Sequence, residues 1–159
     1  MSACARFARV SRAIAFDDLA VSLAVSIAST LTADMGKSRY HLEEQANRGF
    51  RGYPIATIAF YGPTSDFASK VVVAIFRAEN EEAEVLERFF SGGSDVRFDE
   101  AIGSQVIAVI QSHGVKSVVM ADRIIGCPHE EGIDYPVGAA CPQCPFWASR
   151  DRWTGVRIQ

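Results

Sequence analysis

Three of the four cysteines and one of the three histidines fall within eighteen residues near the C-terminus, as Cys127-x-His129, eleven intervening residues, then Cys141-Pro142-x-Cys144-Pro145. No other feature limits so strongly what the chain can fold into. Thiolate and imidazole are the ligands that zinc takes, and four of them complete a tetrahedron. Cys-Pro-x-Cys forms a tight turn, since proline fixes φ and leaves neighbouring N–H groups free to point at sulfur. Gly132, Pro136 and Gly138 lie between the two halves and let the loop fold back on itself. Cys127, His129, Cys141 and Cys144 are therefore candidate ligands of one zinc ion, with iron the main competitor at a thiolate-rich site. Two other readings exist. Cysteines can be buried as apolar residues, but these sit among Pro, Gly and acids. Two of them can pair as a disulfide, which leaves an odd thiol and requires an oxidising compartment. Cys4 lies far off in a segment of different composition and is left outside the site.

A catalytic zinc keeps one position open, whereas a structural one is closed by four protein ligands. Four candidates in one loop favour a structural zinc, and with it a binding or regulatory module. The rival is a zinc-dependent hydrolase, in which a carboxylate beside the metal acts as general base on bound water. Glu130, Glu131 and Asp134 flank His129, and Asp122 precedes the loop. Each has a plainer reading: a partner that orients His129, a turn or cap residue, or solvated charge. Whether the chain is an enzyme stays open at this level. His129-Glu130-Glu131 followed by Cys141-x-x-Cys144 also invites comparison with zinc deaminases, which carry H-x-E and P-C-x-x-C. Only nine residues separate Glu131 from Cys141, Cys127 adds a fourth ligand, and proline follows Cys141 instead of preceding it. These departures exclude that chemistry.

The 159 residues fit one domain, and an apolar content of 48 % supplies a core. The net charge of −3 gives no general electrostatic grip on nucleic acid. Trp147, Arg150, Arg152, Trp153 and Arg157 mix rings with positive charge and offer a nucleic-acid contact. Packing of the aromatics onto the zinc loop is the favoured alternative. A protein partner is expected ahead of nucleic acid. No run of eighteen apolar residues predicts a membrane span. Residues 1–34 differ in texture from the rest, and Asp17 and Asp18 spoil a signal or transit peptide. They are expected to be extraneous or flexible, with residues 35–159 forming a single domain that includes the zinc loop 126–147. Reduced thiols point to the cytoplasm.

Hydropathy patterning predicts a short helix or ordered arm in 35–52 and strands at Ile55–Tyr61 and Ala68–Phe76. Residues 84–90 suit either a helical face or a third strand. Asp99 caps a helix whose Ala101, Ile102, Val106, Ile107 and Ile110 share one face, with Gly114 just past its end. Val115 to Ala121 reads as a central strand covered on both faces. The fold class is thus α/β or α+β: a small mixed sheet, one main covering helix and a C-terminal zinc-clipped loop.

From Gly126 to Trp147 the chain resembles a family of small uncharacterised bacterial proteins whose tail reads G-C-P-H-E-E-G-x-D-Y-P-x-G-x-x-C-P-x-C-P-F-W. Phe60-Tyr61-Gly62-Pro63 and Val118-Val119-Met120 match it as well, so the likeness covers residues 36–155. It implies a bacterial origin and supplies no activity. A looser likeness, of fold alone, is to the small domains that bind the nitrogenase iron–molybdenum cofactor. It rests on the glycine-ended helix and the strand that follows from His113 to Val119.

Overall fold

The computed structural model describes residues 36–151 and 156–158. The expectations for residues 1–34, for Arg152 and for Trp153 lie outside these. Helix α1 spans Lys37–Asn47, followed by strands β1 (Ile55–Tyr61), β2 (Lys70–Phe76) and β3 (Val85–Phe90). A short 3-10 turn at Val96–Phe98 leads into helix α2 (Glu100–Ser112), strand β4 (Ser117–Ile124) and a last 3-10 turn at Pro145–Trp147. The four strands form one mixed sheet in the order β3-β2-β1-β4. Neighbours β1–β2 and β2–β3 are antiparallel, and β1–β4 is parallel. The fold is α+β, with two helices on the sheet.

Alternation along the strands sets the layers. Ala56, Ile58 and Phe60 of β1 pair with Ile75, Val73 and Val71 of β2, and all six are buried. They meet Leu42 of α1 and Ile102, Val106 and Ile110 of α2 in one core. Helix α2 starts at Asp99, whose side chain accepts from Ile102 N at 3.1 Å, a cap that contributes about 1 kcal/mol. It ends at Gly114, which takes the left-handed φ of +62° that ordinary side chains avoid. Helix α1 is mostly polar and buries only Ser38 and Leu42. It is held by a tertiary clasp: Ser38 Oγ donates to Glu100 Oε1 at 2.5 Å and Ser38 N to Oε2 at 3.2 Å. The helices approach closely because residue 103 is glycine. A Cβ there would stand 2.5 Å from that of Ser38.

Two expectations are settled or corrected. The ambiguous segment 84–90 holds a strand, Val85–Phe90, with Val85 and Phe89 turned to the core cluster and Leu86 and Phe90 exposed. The final strand is not central. β4 is the edge next to β1, and Val119 is 58 % exposed. Its apolar run reflects cover on one face only, by α1 and α2. No helix among the described residues is long and apolar enough to cross a membrane.

Candidate metal centre

The loop that carries the Cys/His cluster leaves β4 against the end of β1. Ile125 N donates to Phe60 O and Gly62 N donates to Gly126 O, each at 2.9 Å. Residue 62 must be glycine because the Phe67 backbone crosses close over it, and a Cβ would fall 1.8 Å from the Phe67 carbonyl oxygen. The far end of the loop returns to the same place: Trp147 Nε1 donates to the Gly62 carbonyl at 2.8 Å, and the indole packs against the core. One tight turn after β1 therefore holds both ends of the loop.

Between these anchors the loop is built from local turns. Asp134 Oδ2 accepts from Glu130 N at 2.7 Å, and Glu130 O accepts from Ile133 N and Asp134 N. Gly132 N donates to Tyr135 O, and Gly138 N donates to Glu131 Oε1 at 2.5 Å. The Cys141–Cys144 turn closes with Cys144 N donating to Cys141 O at 3.3 Å. Pro145 then opens the 3-10 turn that carries Trp147.

This chain path brings Cys127, His129, Cys141 and Cys144 together, with their ligand atoms all within 4.8 Å of one another. His129 Nδ1 lies 3.5 Å from Cys141 Sγ and 3.4 Å from Cys144 Sγ. Zn–S bonds of about 2.3 Å and Zn–N bonds of about 2.0–2.1 Å put sulfur and nitrogen about 3.5 Å apart across a tetrahedral angle. The observed separations match that edge. The three cysteines are free thiols, so the disulfide reading does not hold. Cys141 and Cys144 are buried, while Cys127 is half-exposed. The quartet can hold a metal ion.

Its electrostatics point the same way. Burial pushes the Cys144 thiol up to about 12, and the sulfurs of Cys127 and Cys141 add to the effect. Burial raises the Cys127 thiol as well, with Cys141 contributing. The Cys127 and Cys144 thiols hold their protons the more tightly unless a cation offsets the thiolate charge, and metal binding releases those protons.

The other candidate residues turn elsewhere. Glu130 Oε1 accepts from Lys70 Nζ at 2.6 Å and Arg88 Nε at 2.7 Å, and Oε2 accepts from Arg88 at 3.1 Å. Arg88 first, and Lys70 next, hold its carboxyl down at about 2. Glu131 and Asp134 serve the loop's own N–H groups, as described. Asp122 lies within β4, exposed and 3.4 Å from Arg123. Arg150 stacks on Phe146 with 4.3 Å to the ring centroid, and Arg157 is exposed.

Lys70 is the residue that sequence reasoning missed. It is 3 % exposed and donates to the carbonyl of Pro128, between the candidate ligands Cys127 and His129, at 2.9 Å. Its cross-strand neighbours are Tyr61 and Phe90, and its ammonium sits 5.6 and 5.5 Å from their ring centroids. The only sign of this in the sequence is a lysine at the head of an otherwise apolar strand. No protein-family model, curated protein or solved structure matches the chain.

Proposed function

We propose that the protein is a zinc-binding module in which the metal is structural, clipping the C-terminal loop against the end of the sheet and presenting that loop to a protein partner. The observation that carries this reading is the separation of His129 Nδ1 from the sulfurs of Cys141 and Cys144, 3.5 and 3.4 Å, close to the ligand–ligand edge of tetrahedral zinc. Four ligands from one loop leave no position for water. Nearby carboxylates supply no free base: Glu130 is bound by two cations, and Glu131 and Asp134 accept backbone N–H groups. These facts weigh against the hydrolase. The nucleic-acid reading loses support as well, because the Trp147 indole is committed to Gly62 and the core. With its thiols reduced, such a module belongs in the cytoplasm.

Chelation tests the clip. Structural zinc contributes on the order of 10 kcal/mol of apparent binding energy, here spent on a loop outside the main core. Metal removal should red-shift the emission of Trp147 and open the loop to protease, while the sheet's far-UV signal persists. A loop that stays protected after the metal is gone contradicts the clip.

A further inference from the structure

We propose that Lys70, seconded by Arg88, belongs to the metal centre: it positions the Cys127–His129 segment and balances the charge of the loaded site. The proposal rests on the metal-binding reading above.

A lysine is rarely buried without a partner that justifies it. Lys70 stands on the sheet face opposite the helices, because its neighbour Val71 points into the helix-covered core. Its ammonium has two oxygen partners, both in the loop: the Pro128 carbonyl at 2.9 Å and Glu130 Oε1 at 2.6 Å. Pro128 is the single residue between Cys127 and His129, and Glu130 directly follows His129. Two hydrogen bonds from one strand side chain thus bracket His129, at Pro128 before it and Glu130 after it. The strand itself is fixed by pairing on both sides, Lys70 to Tyr61 and Lys70 to Phe90.

Charge gives the second argument. A divalent metal held by three thiolates and a neutral imidazole carries one net negative charge. A partly buried charge of that kind needs a counter-charge nearby. Lys70, Arg88 and Glu130 form one hydrogen-bonded cluster of two cations and one carboxylate, with one net positive charge. The two sums cancel. Glu130 then has a role different from that of a base at the metal. It ties Arg88 and Lys70 to the loop.

The test is a cobalt(II) titration, followed by competition with a chelator for zinc, on the full chain and three variants. Lys70→Met removes the charge but keeps an unbranched apolar stem. Arg88→Gln removes charge at a half-exposed position, where folding is not at risk. Val106→Ala loosens the opposite, helix-covered core and reports what a general loss of stability does. Lys70→Met should weaken metal binding about 10–100-fold, the usual cost of losing a group that supports a ligand, while the cobalt–thiolate absorption bands keep their positions. Arg88→Gln should weaken it by a smaller factor in the same direction. Val106→Ala should stay within about threefold of the parent, as independent sites do. If Lys70→Met and Arg88→Gln bind as tightly as the parent, or if Val106→Ala loses as much as they do, Lys70 has no part in the centre. A parent chain that takes up no cobalt overturns the metal site itself, a result easily told from the first.

Discussion

The imidazole Nδ1 of His129 lies 3.4 Å from the sulfur of Cys144, although fourteen residues separate them in the chain. Two turns bring this about. The first is the Gly62 turn, which takes Gly126 on its N–H and Trp147 on its carbonyl. The second is the Cys141–Cys144 turn, which leads directly into the 3-10 segment bearing Trp147. The site is therefore attached to the sheet on both flanks.

The Gly62 turn should tolerate no side chain. In Gly62→Ala the new methyl would meet backbone, the Phe67 carbonyl at 1.8 Å, which cannot swing aside. Thermal unfolding should show a loss of several kcal/mol, at the extreme end of single substitutions, about 4 or more. Weakened metal retention should accompany it, since both loop anchors depend on this residue. An alanine variant that melts with the parent would show that the two anchors do not meet there.

Glu130 and Glu131 should behave differently from each other. Glu131→Gln keeps an acceptor for Gly138 N on an exposed loop and should change stability by about 0.5 kcal/mol or less. Glu130→Gln removes the counter-ion of buried Lys70 and should cost about 1–2 kcal/mol, reduced from the value for a fully buried pair because Glu130 is partly exposed. Denaturant titration measures both. Equal and negligible effects would mean that the Lys70–Glu130 pair adds nothing.

Asp95 gives a pH signature. Burial alone would raise its pKa, but hydrogen bonds from the Arg97 guanidinium and from the N–H groups of Arg97 and Ala68 outweigh burial and lower it. A carboxyl with a depressed folded-state pKa contributes stability that is present above its unfolded pKa, about 3.9, and is lost as pH falls through the folded value. Asp95→Asn should therefore destabilise the protein at pH 7, and the gap should close as pH falls through the lowered folded value. Equilibrium unfolding across pH on metal-free samples checks this. A gap that stays constant from neutral to acid pH would rule it out.

Much of this architecture is legible in single residues. Asp99 and Gly114 mark the ends of α2, because a cap acceptor and a left-handed glycine act locally. The clustering of Cys127, His129, Cys141 and Cys144 shows in their spacing, because turn geometry and ligand chemistry restrict the same few positions. Residues 84–90 cannot be assigned from pattern, since Val85, Leu86, Phe89 and Phe90 satisfy both periods. Pairing with β2 decides the matter. The edge position of β4 is hidden for a similar reason: an apolar run records how much cover a strand has, not which neighbours it pairs with. Lys70 is the least legible of all. Its partners Pro128 and Glu130 lie 58 and 60 residues away, and no local rule connects them.

The most direct test of the account is X-ray absorption spectroscopy combined with elemental analysis, on protein purified without a metal-affinity step. The account predicts about one zinc per chain, with three sulfur ligands near 2.3 Å, one nitrogen near 2.0 Å and no bound water. A protein without stoichiometric metal, or a zinc shell of nitrogen and oxygen only, would contradict it.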